Sequence, residues 1–168
     1  NGADQKSSAY IIVDGEKLDV TVSVEKWDGS AWVAATSAKD AGTYRFTATK
    51  DGYTLLNDKV ECRIDPRVIS VDYTNLTGLT HGTIVNVTAS TTDPVAKAEV
   101  DAGILNLAVS GSGHVAGTHV VSVEAQVENA QGNKVATDNY VISNATAVQT
   151  IGKKVFSISD IEWKLNFT

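Results

Sequence analysis

Apolar and polar residues alternate along most of the chain. In residues 18–25 every second residue is apolar, and the residues between them are polar or charged. A period of two is the pattern of a strand with one buried face. The same alternation recurs between Gly, Asn and Asp turns, so the sequence predicts an all-β fold with sandwich architecture. The predicted strands are 18–25, 31–35, 44–49, 59–64, 68–73, 83–89, 104–109, 118–127, 139–143 and 154–158.

The one helical candidate is 94–102, which begins at a proline. Since strand patterns lie on both sides of it, we predict a single helical turn that links two sheets.

Two tryptophans flank the first tight turn. Asp-Gly at 28–29 favours the positive φ angles of a two-residue hairpin, which pairs Trp27 with Ser30. In that register Trp27 and Trp32 both lie on the face opposite the apolar residues of 18–25, where exposed indoles can contact a sugar ring or a protein. A three-residue turn or a bulge turns one of them into the core instead.

Two segments of the chain occur twice. Residues 40–48 are echoed by 115–123 at an offset of 75, and residues 63–74 by 157–168 at an offset of 94. The second copy therefore carries about 19 additional residues, which we place around 127–147. Internal repeats of this kind predict a modular array.

The repeat defines the predicted domains. Proline in sheet proteins is confined to edges and junctions, and Asp65-Pro66 stands between the two copies. We predict one module over residues 1–66 and a second over 67–160. Residues 161–168 are either an extra strand of the second module or the start of a following one.

The turn at 40–46, Asp-Ala-Gly-Thr-Tyr-Arg-Phe, resembles the D-x-G-x-Y-x-C turn of immunoglobulin domains, with Phe46 in place of the disulfide cysteine. The longer pattern Ala-Gly-Thr-Tyr-x-Phe-x-Ala, followed by a strand that ends near Asp65-Pro66, is similar to the bacterial immunoglobulin-like repeats of cell-surface proteins and adhesins, the MBG-type and Big-type modules.

This resemblance implies two tandem immunoglobulin-like β-sandwich modules, each with a structural corner. The first corner consists of Asp40, Gly42 and Tyr44, whose hydroxyl bonds backbone across the turn. The second consists of Gly117 and His119, and the histidine in place of tyrosine implies a weaker corner bond or none. The resemblance also implies an extracellular or cell-surface location and carries no catalytic residues.

The net charge and the cysteine content restrict the partners and the covalent cross-links that the chain can have. The 168 residues carry a formal net charge of −6, which disfavours nucleic acid and anionic membrane as partners. No apolar run approaches the ~20 residues of a membrane-spanning helix. Cys62 is the only cysteine, so no intrachain disulfide forms. Its position in the alternating segment 59–64 predicts a small core side chain.

Candidate chemistry is sparse. His114 and His119 lie five residues apart, but HExxH and CxxC patterns do not occur beside them, and the acidic residues are scattered singly. We therefore predict no metal and no cofactor. The sequence also has no nucleophile elbow, P-loop or dinucleotide fingerprint, which favours a protein that is not an enzyme.

Three functions fit these observations. The first is a structural spacer or adhesive module of a bacterial surface protein, whose partners are neighbouring modules of the same polypeptide. The second is a binding module for a glycan or a host surface protein, with either Trp27 and Trp32 or the insertion around 127–147 as the contact. The third is an accessory domain of a secreted carbohydrate-active enzyme.

Overall fold

The computed structural model describes residues 8–162 and residue 164, and it is mostly β strand, so the all-β class predicted from the sequence is confirmed. Its helical elements are α1 (Pro94–Asp101) and a 3-10 turn at Ile158–Asp160. The strands are β1 (Tyr10–Val13), β2 (Glu16–Asp19), β3 (Thr21–Trp27), β4 (Trp32–Ala35), β5 (Gly42–Thr49), β6 (Lys59–Ile64), β7 (Arg67–Ile69), β8 (Asp72–Thr74), β9 (Leu79–Thr80), β10 (Thr88–Ser90), β11 (Leu105–Ser110), β12 (Gly117–Glu128), β13 (Lys134–Ala136), β14 (Tyr140–Ile142) and β15 (Thr146–Gly152).

Two compact units divide the described chain. The first extends to Val68 and also includes Thr137–Val141. The second comprises Ile69–Ala136 and the described residues from Ile142 onward. The sequence places residues 137–141 in its second module, whereas the structure packs them with the first unit.

The first unit contains an antiparallel sheet in the order β4-β3-β5-β6 and a separate hairpin of β1 and β2. Tyr44 and Phe46 of β5 are buried together with Ala38, because alternate residues of a strand point to the same face. Val22 and Val24 of β3 pack against them, and so does Ile64. This small cluster is the core of the unit.

The second unit contains a sheet in the order β11-β12-β15-β9, in which β9 runs parallel to β15. β13 pairs with the end of β12, and β8 pairs with β10. The buried apolar side chains of this unit are Ile69, Val71, Val87, Ala96, Leu105, Val121, Val123, Ala125 and Ile151.

The central strands of the two sheets are arranged alike. β5 lies between β3 and β6 and is antiparallel to both, and β12 lies in the same way between β11 and β15. β5 and β12 also both begin at the glycine of a repeated Ala-Gly-Thr segment. The sequence order of the neighbours differs, since β4 intervenes between β3 and β5 along the chain, whereas β11 immediately precedes β12.

Residues 127–147, where the sequence places its insertion, contain β13 and β14. β14 pairs with β7 in a two-stranded sheet. The Arg67 amide donates to the Asn139 carbonyl at 2.9 Å, and the Ser143 amide donates to the Ile69 carbonyl at 2.8 Å. The insertion thus leaves the main sheet of the second unit and returns to it at β15.

Four predicted strands differ from the observed ones. The alternation over 18–25 is interrupted at Val20, between β2 and β3, and the strand predicted over 68–73 is divided into β7 and β8. Of the strand predicted over 83–89, only the last two residues are in a strand, β10. The strand predicted over 154–158 is wrong: residues 153–157 are irregular, and the last strand is β15. The extra strand suggested for 161–168 falls mostly on positions outside the described residues.

The helical candidate is a longer element than the predicted single turn. α1 has eight residues, and Asp93 caps it by accepting hydrogen bonds from the amides of Val95 and Ala96. Pro94 occupies the first turn, where its missing amide proton costs nothing.

Cys62 is exposed, so its assignment to the core is wrong. It lies opposite the buried Tyr44 on the core-facing side of the sheet. However, β6 is the last strand of that sheet, and alternation alone does not show whether anything covers an edge strand.

We expect a maleimide to modify Cys62 in the folded protein at low micromolar concentration, because the thiol is accessible without unfolding. The rate should be close to that of the urea-unfolded chain. Mass spectrometry over time measures both rates, and circular dichroism of the labelled protein checks that the fold is kept. A native rate thousands of times slower would show that Cys62 is covered.

Candidate functional site

Tyr44 forms a corner at the start of β5. Gly42 has a φ of +147°, a backbone conformation that disfavours a side chain, and it directs the chain into the strand. The Tyr44 hydroxyl then donates to the carbonyl oxygen of Asp40 at 3.0 Å, while its ring is only 2% exposed. One side chain therefore both fills the core of the first unit and ties the turn to it.

His119 forms a corresponding corner at the start of β12. Gly117 has a φ of +144°, close to that of Gly42. The His119 Nε2 atom lies 2.9 Å from the carbonyl oxygen of Val115, four residues earlier, which is also the spacing of Tyr44 and Asp40. Since a carbonyl only accepts, Nε2 carries the proton. The resemblance implied a weaker corner bond or none at this position, and the structure has a bond, because an imidazole N–H can replace the phenol O–H as donor.

Asn139 holds residues of the insertion against the first corner. Its Nδ2 atom donates to the Asp40 carboxylate at 2.8 Å, and its Oδ1 atom accepts from the Ala41 amide at 2.7 Å. The Asn139 backbone carbonyl accepts from Arg67. Residues 137–141 thus complete the hydrogen bonding of the turn that carries Tyr44.

Trp27 and Trp32 lie directly opposite each other on β3 and β4. Their ring centroids are 5.4 Å apart, and the ring planes are inclined by 60°. Both side chains lie on the face opposite Val22 and Val24, because Trp27 is an odd number of residues away from these valines and Trp32 is its cross-strand partner. Trp27 is 40% exposed.

The predicted pairing of Trp27 with Ser30 is wrong, since the loop between the two tryptophans has four residues. The Asp28 carboxylate accepts hydrogen bonds from the Ser30 and Ala31 amides, both at 2.8 Å, and from the Ser30 hydroxyl. The Asp28 amide donates to the Ala31 carbonyl. These local bonds close a wider turn than Asp-Gly alone predicts.

The bonds from the Ala31 and Ser30 amides lower the pKa of Asp28 below its usual value. Because the pKa is lowered in the folded state, the ionised carboxylate stabilises the loop at any pH above the ordinary Asp pKa. That support disappears as the pH falls through the lowered pKa.

Arg45 of β5 lies next to the tryptophan pair. Its guanidinium carbon lies 4.4 Å from the centroid of the Trp32 ring, within the range of a cation–π contact. The Glu25 carboxylate accepts from Arg45 at 2.7 Å and 2.9 Å. We call Glu25, Trp27, Trp32 and Arg45 the tryptophan face. It offers aromatic ring surface beside a charge pair.

The histidines are not brought together as metal ligands. His119 is engaged at the corner, and within residues 8–162 and at residue 164 the structure has no group of three His, Cys, Asp or Glu that could hold an ion. In the same part of the chain, no helix combines the length and apolar character needed to cross a membrane.

The sequence analysis named the two tryptophans and the residues of both corners, but it did not name Arg45, Glu25 or Asn139 as site residues. The first two were visible in the alternation, since both occupy outward positions on predicted strands. Their contact depends on the register of β3 against β5, where Glu25 lies opposite Arg45. Asn139 lies 99 residues from Asp40, and no local pattern relates them.

Comparison with protein families, with curated proteins and with solved structures yields no match to this chain.

Proposed function

We propose that the chain forms two tandem immunoglobulin-like β modules that act as non-catalytic spacer or adhesive parts of a bacterial cell-surface or secreted protein. The observation that carries this proposal is the repeated corner. Tyr44 and His119 each bond to a carbonyl four residues earlier, after a glycine of similar φ.

The central position of both corner strands in their sheets adds support. Each corner strand lies between an earlier strand and a later one, and both pairings are antiparallel. Two copies of one such unit in a single polypeptide are characteristic of arrays whose modules set a distance rather than carry out a reaction.

Replacement within the parent surface protein tests the spacer function. We expect deletion of the chain to impair the activity of the neighbouring domains, and an unrelated pair of β modules of similar length to restore it, because a spacer contributes only length and stiffness. Surface labelling must show equal display of all forms. Failure of the replacement to restore activity would favour a binding function.

The tryptophan face supports a second candidate function, the binding of a glycan or a host surface protein. Its support is the exposed Trp27 ring beside the Arg45–Glu25 pair. We expect a glycan array to show binding that Trp27→Ala weakens by at least tenfold, as for a residue at the centre of an interface. Trp27→Phe serves as the control that keeps an aromatic ring. An array without binding, or equal binding by Trp27→Ala, argues against a glycan site here.

A further inference from the structure

β6 presents an edge to which another strand can be added. The Ala48 amide bonds to the Asp58 carbonyl, and the ladder continues in register to Gly42 and Ile64. Because hydrogen-bonded pairs alternate in an antiparallel ladder, the backbone groups of Lys59, Glu61 and Arg63 point away from β5. Among the residues that the structure describes, no strand pairs with this side of β6.

The core-facing side of the same edge is apolar and open. Val60 lies opposite Phe46 and Cys62 lies opposite Tyr44, yet Val60 is 60% exposed and Cys62 is exposed. A groove of about 170 Å³ lies alongside, and its lining includes Ala9, Val22, Phe46, Ala48 and Val60. A strand added here gains both backbone hydrogen bonds and a pocket for alternate side chains.

The sequence of the chain contains a segment with the required pattern. In residues 161–168, Ile-Glu-Trp-Lys-Leu-Asn-Phe-Thr, apolar side chains alternate with polar ones. If Trp163 and Leu165 face the groove, Glu162 and Lys164 face outward with the charged side chains of β6.

Charge selects one antiparallel register. With Leu165 opposite Val60, Glu162 lies opposite Arg63 and Lys164 lies opposite Glu61. If the added segment shifts by two residues along β6 in one direction, Glu162 lies opposite Glu61. If it shifts by two residues in the other direction, Glu162 lies opposite Asp65. Like charges directly opposite each other are unfavourable. Arg63 is available for a new partner, because its present ion pair with Asp65 is highly exposed and contributes little.

We propose that residues 162–166 of one copy add to the β6 edge of a second copy as an antiparallel strand. The contact joins two different surfaces, so it can continue from copy to copy. This proposal is independent of the spacer function and of the tryptophan face.

Charge reversal tests the register. We expect the mass of the wild-type chain in analytical ultracentrifugation to rise with concentration. Glu61→Lys and Lys164→Glu should each raise the dissociation constant about tenfold, since each replaces an opposite-charge pair with a like-charge pair. The double variant should associate like the wild type. Glu16→Lys and Lys153→Glu, which make the same charge changes at exposed residues outside β6 and outside the added segment, should have no effect.

Mixing the two single variants distinguishes a second copy from the chain's own segment. In the mixture, the native Lys164 of one variant meets the native Glu61 of the other. The two introduced side chains also meet with opposite charge, so association should return. The labelling rate of Cys62 provides an independent measurement of association, because Trp163 covers the thiol in the proposed register. Its labelling should slow as wild-type concentration rises, and for either single variant it should slow only at about tenfold higher concentration.

Three outcomes overturn the proposal. One is a wild-type chain that stays monomeric up to millimolar concentration. Another is association that neither single reversal weakens. The last is protection of Cys62 that Lys164→Glu abolishes but that does not depend on concentration, since the segment then binds within its own chain.

Discussion

Replacing Tyr44 with alanine is expected to destabilise the first unit by about 3–5 kcal/mol, the usual cost of removing a buried aromatic side chain. The side chain is almost fully buried in a core of few residues, so its removal leaves a cavity. Tyr44→Phe keeps the ring and loses only the hydroxyl bond to Asp40, which costs about 1 kcal/mol.

Urea denaturation followed by tryptophan fluorescence measures both variants. Trp27 and Trp32 belong to the first unit, and a Trp163→Phe background removes the remaining indole. Thr43→Ala, on the opposite face of the same strand, is the matched control and should change stability by less than about 1 kcal/mol. Equal, negligible losses in Tyr44→Ala and Tyr44→Phe would contradict the corner.

Replacing Gln149 with leucine is expected to destabilise the second unit by about 2–4 kcal/mol, because two backbone groups lose their hydrogen-bond partner. Gln149 is 0% exposed, accepts from the Gly113 amide at 2.8 Å and donates to the Asn75 carbonyl at 3.2 Å. Leucine has a similar volume, so the loss does not arise from a cavity.

Hydrogen exchange measured by mass spectrometry reports the change in stability of each unit separately. We expect faster exchange in β12 and β15 of Gln149→Leu, and little change in β3 and β5. Gln126→Leu is the control, because it makes the same chemical change at a half-buried residue whose hydrogen bonds are exposed. Amide exchange in this variant should be nearly the same as in the wild type. Unchanged exchange in β15 would show that Gln149 does not hold these loops.

Burial of Gln149 also explains why the last strand was misplaced. In β15 the inward positions are Ala147, Gln149 and Ile151, and a glutamine in the middle conceals the apolar alternation. The apolar residues of 154–158 then have the stronger strand pattern, although Val155 and Ile158 are highly exposed. A polar residue is stable in the interior only when its hydrogen bonds are satisfied, and those partners come from distant parts of the chain.

The sequence by itself determined the features whose causes are local. Alternation identified β3, β5, β6, β11 and β12, because a half-buried strand requires a period of two. The repeated Ala-Gly-Thr turn located both corners, since glycine adopts the φ that starts each corner strand.

Tertiary structure decided which faces and edges are covered. Val60 and Cys62 have core-type positions but remain open, because β6 is last in its sheet. Asn139 belongs with the first unit because its amide matches the acceptor and donor that Asp40 and Ala41 offer. These outcomes depend on hydrogen bonds and strand neighbours from residues far apart in the sequence, which a period of two cannot encode.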